Sequence, residues 1–277
     1  MSNHPNIDEK TVKSFGEEWS RFDQSALSDC ELIKVFNEYF SIFPWAALPL
    51  DAEGFDMGCG SGRWAKFVAP RVGRLHCIDP SESLLVAKTN LSEFGNVEFH
   101  RASVGNPPLK ECSQDFGYSL GVLHHVPNTA DAIKSCVSLL KPGAPFLIYL
   151  YYAFDNRPMI FRFIWRLSDL LRRVIIRLPS FSKNLATDLI ALSVYYPLAK
   201  TSFFLSYFGV NTKNIPLSYY KDHSLYTMRT DSRDRFGTPL EHRFSQGQII
   251  SMMKEAGLSN IEFSSSAPFW CAIGYKN

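Results

Sequence analysis

The sequence predicts a doubly wound α/β protein: a mostly parallel seven-stranded sheet that ends in an antiparallel hairpin and carries a large, mainly helical insertion. Three observations lead there. From Phe55 to Tyr152 short apolar runs alternate with stretches of helical spacing, as in a parallel sheet covered on both faces. The stretch from Gly54 to Arg63, G-F-D-M-G-C-G-S-G-R, sets three glycines at alternate positions behind an acid, where a first strand-to-helix turn belongs. Beyond Ala153, about ninety residues turn aromatic and basic and break the alternation.

Strands are read at residues 54–57, 74–78, 97–101, 116–121 and 145–151. Helical spacing fills 64–69, then 83–91 after the turn Pro80-Ser81, then 130–140, which stops at Lys141-Pro142-Gly143. Near the C-terminus 245–255 is helical in spacing and ends at Ala256-Gly257, and 261–264 and 269–275 read as two strands around Ala267-Pro268. The implied organisation is an N-terminal helical cap over 1–50, a sheet domain over 51–152 and 244–277, and an insertion over 153–243 that forms a substrate lid.

The 277 residues are 45% hydrophobic and 14% aromatic, ample for a packed core. A net charge of +2 gives no global field to attract nucleic acid. Six cysteines without a C-x-x-C pair fit reduced thiols in a cytoplasmic protein, with neither disulfides nor a metal site expected. The first ten residues lack the charged and apolar regions of a secretory leader.

The glycine stretch indicates what kind of ligand it serves. A dinucleotide turn needs G-x-G-x-x-G, whereas the glycines here are Gly58, Gly60 and Gly62, with Asp56 two residues before the first. A carboxylate there repels pyrophosphate but can hold an ammonium group, directly or through water. Asp79 ends the next strand in C-I-D-P-S, seventeen residues beyond Gly62, where it can take both hydroxyls of a ribose or simply start a turn before Pro80.

D-M-G-C-G-S-G, C-I-D-P-S, S-L-G-V-L-H-H-V-P-N and L-L-K-P-G-A-P-F-L-I, in that order, resemble the class I, Rossmann-like S-adenosylmethionine-dependent methyltransferases of the type 11 group. The resemblance covers about 15–152 and returns over 244–276. It implies S-adenosylmethionine as cofactor and S-adenosylhomocysteine as product. Gly58, Cys59 and Gly60 would flank the methionine part, Asp56 would lie beneath it, and Asp79 would hold the ribose. Pro80, Val104 and Gly121 complete the implied cofactor set. The family usually takes the adenine amino group with an Asp at the end of strand three, often in G-D-A; this chain has Ala102-Ser103-Val104, so Ser103 offers a weaker neutral hydroxyl. The segment S-F-G-E-E-W-S-R-F-D also looks like the start of many such enzymes, with Phe15 or Trp19 near the sulfonium or merely pinning a helix to the body.

Methyl transfer from a sulfonium needs an aligned nucleophile and, where that nucleophile carries a proton, a base. His125, after strand four, matches the position where several family members carry a catalytic histidine; His124 adjoins it. Both could instead bond backbone groups. D-R-F-G-T-P-L-E-H-R-F adds His242 as a further catalytic candidate and Arg235, Glu241 and Arg243 as residues that orient substrate, or as a surface turn of salt bridges.

In the insertion, 156–183 holds seven Lys or Arg against the single acid Asp169. Arg162, Arg166, Asp169, Arg173 and Arg177 share one helical face; Ile160, Phe163, Ile164, Leu167, Leu170, Leu171, Val174 and Leu178 fill a broad opposite arc. Such a helix can cap a pocket, form a dimer seam or lie on an anionic membrane, and burial of the arc as a lid is the expectation. Residues 189–210 are long enough to raise a membrane span, against which Pro197 and Lys200 argue. Tyr152, Tyr219 and Tyr220 would give the substrate an aromatic wall. The reading is thus a methyltransferase acting on an oxygen or nitrogen of a small natural product, sugar or similar metabolite. The alternatives are a peripheral membrane enzyme for a lipid, quinone or lipid-linked acceptor, and a non-catalytic cofactor-binding partner. A monomer or homodimer is expected, with a membrane surface possible but not favoured.

Overall fold

The computed structural model describes residues 6–154, 159–212, 215–266, 268 and 270–277. Its sheet has seven strands: β1 (Glu53–Met57), β2 (Arg74–Ile78), β3 (Val97–His100), β4 (Phe116–Leu120), β5 (Pro145–Tyr149), β6 (Leu258–Phe263) and β7 (Cys271–Lys276). Their order is β3-β2-β1-β4-β5-β7-β6, parallel except where β7 runs against β5 and β6. The chain-order reversal between β1 and β4 opens a crevice at their carboxyl ends, the usual ligand position in such sheets.

Strands β1, β4 and β5 are buried almost throughout, as central parallel strands must be. Alternate residues feed two separate cores: Phe116, Tyr118 and Leu147 join Phe36, Phe40 and Trp64, while Phe55, Met57, Phe146 and Ile148 join Ile133 and Val137. Across β1 and β4 the register pairs Gly54 with Phe116 and Phe55 with Gly117, so each glycine lies under the opposing ring. A Cβ at Gly117 would stand 2.2 Å from Phe55 Cζ. Gly117→Ala is therefore expected to cost on the order of 1–3 kcal/mol of stability through overpacking. Urea unfolding checks it: the midpoint falls while the slope stays constant.

Helices α1 (Glu9–Arg21), α2 (Asp29–Tyr39), α3 (Ala65–Val68), α4 (Ser83–Asn90) and α5 (Thr129–Leu139) precede the insertion. The Asp8 carboxylate caps α1 by accepting from Thr11 N at 2.8 Å, and Asn128 caps α5 from outside. Strand β6 starts at Leu258, three residues before the sequence pattern suggests, because Gly257 ends the preceding helix at φ 93° and the chain pairs at once. The polar Ser259 and Asn260 conceal that start in the sequence. The expected turn at Ala267 and strand start at Phe269 lie outside the described residues, as do 1–5, 155–158 and 213–214.

The chain divides into two compact units, Met1–Asp23, Leu32–Asp155 and Leu240–Asn277 on one side, Gln24–Glu31 and Asn156–Pro239 on the other. In the second, α6 (Met159–Ile175), α7 (Ser180–Ile190) and α8 (Tyr196–Tyr207) accompany α9 (Leu225–Gly237), and α10 (Gln246–Glu255) belongs to the first. A π-helical stretch, Ala191–Tyr195, joins α7 to α8 in one rod, and α6 and α7 pack on α9. The apolar arc of α6 is not buried. Phe163, Leu167, Leu170, Leu171 and Val174 are exposed, while Asp169 and Arg172 turn inward and bond each other at 2.9 Å. The expectation fails because α6 docks through an ion-paired face, which leaves the arc outside.

Candidate cofactor and active site

After β1 the chain enters the left-handed region at Gly58, φ 82°, and again at Gly60, φ 55°. The Gly58 and Cys59 amides both donate to Ile78 O, at 2.7 and 3.2 Å, which folds the turn against the end of β2. A Cβ at Gly58 would meet Val122 Cγ1 at 2.4 Å across the β1/β4 crevice, so only glycine fits there. Asp79 secures the same turn: Oδ2 accepts from Gly60 N at 3.0 Å, and Oδ1 accepts from Ser81 N and Oγ at 2.8 and 2.7 Å. A carboxylate has roughly four acceptor positions. With three taken, Asp79 both starts a turn before Pro80, which is half-buried, and keeps capacity on Oδ2 for one ribose hydroxyl.

Asp56 lies beneath this turn on β1, beside Tyr118 on β4. It is 1% exposed, and its Oδ2 is buried with no hydrogen-bond partner among the described residues. Burial pushes its carboxyl up to about 8, a rise that the Tyr118 hydroxyl opposes and the Asp79 charge reinforces. A buried acid with Tyr118 beside it and an unbonded Oδ2, next to an open-backbone turn, suits a cationic group. In this respect the residues present fit S-adenosylmethionine, which carries a cationic amino acid end. Cys59 and Cys77 keep their protons, since each thiol is buried against the other and Cys59 in particular is held up by the Cys77 contact. Gly121, φ 80°, ends β4 with nothing nearer to an added Cβ than Tyr149 at 4.0 Å, which leaves room for a ligand. Ser103 is half-buried beyond β3, whereas the Val104 side chain belongs to the core and its carbonyl accepts from Ser135 Oγ at 2.5 Å.

Helix α1 covers these turns. A Cβ on Gly60 would lie 3.1 Å from Trp19 Nε1, so the indole rests on the glycine turn, and Arg63 stands 5.4 Å from its ring. Gly16 lets α1 approach Ser81 and Glu82, and Phe15 meets His125 edge-on at 5.0 Å.

His125 is buried, and its Nδ1 lies 2.6 Å from Leu240 O. A carbonyl only accepts, so Nδ1 carries a hydrogen, and in the uncharged tautomer this leaves the lone pair on Nε2. His124 is fully buried between the rings of Tyr151 at 3.9 Å and His125 at 4.0 Å, and burial drives its pKa well below the ordinary histidine value. It is a neutral wall residue. The segment before α10 lies alongside: His242 N donates to His124 O at 2.9 Å, and Glu241 pairs with Arg243 at 2.8 Å, with the guanidinium over Tyr151 and Phe154. Arg243 also donates to Tyr152 O at 3.3 Å, and Tyr152 bridges Phe244.

Arg235, Tyr219 and Tyr220 belong to the other unit. Arg235 donates to Ser168 Oγ at 3.3 Å, Tyr220 donates to Asp231 at 2.7 Å, and Tyr219 stacks on His223 at 4.4 Å. Sequence reasoning missed Tyr149 and Tyr151, whose rings flank His124; their place just past a strand's carboxyl end was the available signal. It also missed that His76, Glu98 and His100 bring ligand atoms within 4.8 Å of one another on β2 and β3, because cross-strand neighbours leave no spacing motif.

Residues 55–148 match the family described as a methyltransferase domain, Methyltransf_11. Curated relatives include the ubiquinone biosynthesis O-methyltransferases of Stutzerimonas stutzeri, 34% identical over 32% of this chain and 39% of that protein, and of Dechloromonas aromatica, 37% identical over the same shares. The matched region thus spans well under half the length of these relatives. Among solved structures, phosphoethanolamine N-methyltransferase 2 of Haemonchus contortus aligns with TM-score 0.51 and 14% identity over 97% of this chain and 47% of that one. A chain of the Haloferax volcanii complex with the Trm112 methyltransferase activator gives 0.54 and 12% over 95% and 96%. The matched sequence over residues 55–148, the strand order and the glycine turn agree in being those of a class I, S-adenosylmethionine-dependent methyltransferase domain of the type 11 group.

Proposed function

We propose that the protein transfers a methyl group to an oxygen or nitrogen of a small-molecule acceptor. The observation that carries this is the juxtaposition, at one end of one sheet, of an acid suited to a cation and a histidine whose tautomer is fixed for taking a proton. Bound S-adenosylmethionine would supply an already activated methyl. The chain's own residues then have three tasks. Asp56 and the Gly58–Gly60 backbone hold the charged end, and Asp79 takes a ribose hydroxyl. Trp19 on α1 excludes water from the glycine turn. His125 Nε2 removes the acceptor's proton while Leu240 O steadies the ring. Glu241, His242, Arg243, Tyr151 and Tyr152 offer the acceptor a wall of mixed polarity. The names of the curated relatives favour oxygen, and make a quinone-class acceptor the first to try.

Formation of S-adenosylhomocysteine with phenolic or amine acceptors tests the activity. A protein that binds S-adenosylmethionine and releases no product with any of them would stand as a non-catalytic partner. Asp79→Ala is expected to weaken S-adenosylmethionine binding about tenfold to a hundredfold, from charge-assisted bonds worth about 1.5–3 kcal/mol. Calorimetry reads it, and unchanged affinity removes Asp79 from the site.

A further inference from the structure

The insertion unit buries several polar pairs and leaves many of its large apolar side chains outside. Its interior around α9 combines a small apolar core of Ile175, Tyr195, Ala199, Met228 and Phe236 with polar contacts: Arg229 grips Asp188 with two bonds of 3.1 and 2.9 Å, Arg233 is 1% exposed and donates to Asn184 Oδ1 at 2.9 Å, and Ser232 donates to Thr187 O at 2.8 Å. Asp169 holds Arg172 and Arg173 at 2.9 and 3.0 Å. Its exterior is apolar. On α6, Ile160 is 67% exposed and Leu170 58%; along the rod of α7 and α8, Phe181 is 81% exposed, Phe204 61% and Tyr207 80%. Singly exposed apolar side chains are ordinary, but long rows of them on two helices that share a packing partner mark an interaction surface.

The charges around this surface say what covers it. Between 159 and 212 the only acids are Asp169 and Asp188, and both are bonded inward to arginines. The exposed charges on α6 and just past it are Arg162, Arg166, Arg173 and Arg177. At 100° per residue these four fall along one border of the apolar arc, while Asp169 and Arg172 fall on the inward side. A second copy of the chain placed on this face would bring arginines against arginines with no acid to answer them. An anionic bilayer answers all of them at once, since arginine stems lie along the apolar layer and their heads meet lipid phosphates.

The rod Ser180–Tyr207 is long and apolar enough to cross a membrane, yet the Asp188–Arg229 pair sits on its inward face and holds it side-on to α9. A helix so tethered lies in the plane of the interface. We propose that the outer faces of α6 and of the α7–α8 rod dock on the surface of an anionic lipid bilayer as a monotopic element. The docking stands on this unit alone and does not depend on the acceptor or on catalysis.

The experiment is flotation of the full chain with vesicles of phosphatidylcholine, with and without phosphatidylglycerol. The protein is expected to float with the anionic vesicles and to lose about fivefold in partitioning for each of Arg166→Gln and Arg173→Gln. Leu167→Glu with Leu171→Glu is expected to reduce partitioning at least tenfold; both side chains are exposed, so the thermal melt of the double variant should match the parent. Protein that stays with the dense fraction under every lipid composition overturns the proposal. So does a dimer that the double variant splits, which assigns the face to a second copy, or binding that ignores both the arginine and the leucine substitutions.

Discussion

His125→Ala is expected to lower turnover by about 10² to 10⁴ while leaving S-adenosylmethionine affinity within about twofold of the parent. The separation of the two effects follows from geometry. His125 is held by Leu240 O through Nδ1 and by Phe15 edge-on, after β4, whereas Asp56 lies on β1 and the glycine turn follows it. Removing the imidazole deletes a proton acceptor without untying the turn. His125→Gln tests the same point, since an amide can keep a bond to Leu240 O but cannot take a proton at neutral pH. Equal turnover in parent and both variants, across the pH range, would leave alignment as the only source of rate. Single-turnover kinetics with saturating cofactor is the measurement that separates chemistry from binding.

The second expected result concerns Asp56 and is a linkage between protons and ligand. In the free protein its carboxyl titrates near 8, against an ordinary 3.8, chiefly because burial penalises the charge. At pH 7 it is therefore mostly protonated. A cation seated at the glycine turn favours the ionised form, so binding releases a proton, and affinity for S-adenosylmethionine rises with pH, by up to about tenfold per unit, until about pH 8. Calorimetry in two buffers of different ionisation enthalpy counts that proton. Asp56→Asn is expected to abolish the release, flatten the pH profile and weaken binding about tenfold to a hundredfold. Retention of the proton release in that variant would assign it to another group.

The same shift sets the sign for stability without ligand. Below about pH 4 both folded and unfolded chains hold the proton, and the contribution is fully present. As pH rises from 4 toward 8 the unfolded chain gives its proton up first, so stability falls by up to about 1.4 kcal/mol per unit from this residue. Asp56→Asn should make the parent's loss of melting temperature over that window shallower.

Periodicity made the sheet legible, because a parallel strand buried on both faces needs a continuous apolar run and a glycine turn needs its glycines in a row. The turn at Gly58 and Gly60, the acid at Asp56 and the ionisable run Glu241, His242 and Arg243 were all visible as local patterns. Less legible was the division of labour at Asp79. Its bonds to Gly60 and Ser81 arise only when the ends of β1 and β2 come together. The tautomer of His125 was invisible for a similar reason, since Leu240 is 115 residues away along the chain.

What the sequence determined by itself was therefore the class of fold and the chemistry of its first turns, both consequences of short-range spacing. Only the tertiary structure decided which side of an amphipathic helix meets protein. The pattern of α6 shows an apolar arc and a charged face, and burial of the arc is the default when water is the only alternative. Here Arg235 of α9 faces Asp169, and the Thr238 carbonyl at the end of α9 accepts from Arg172, a pairing in a water-poor interior that favours the Asp169–Arg172 side of α6. The choice depends on a partner sixty residues away along the chain, which no local pattern encodes.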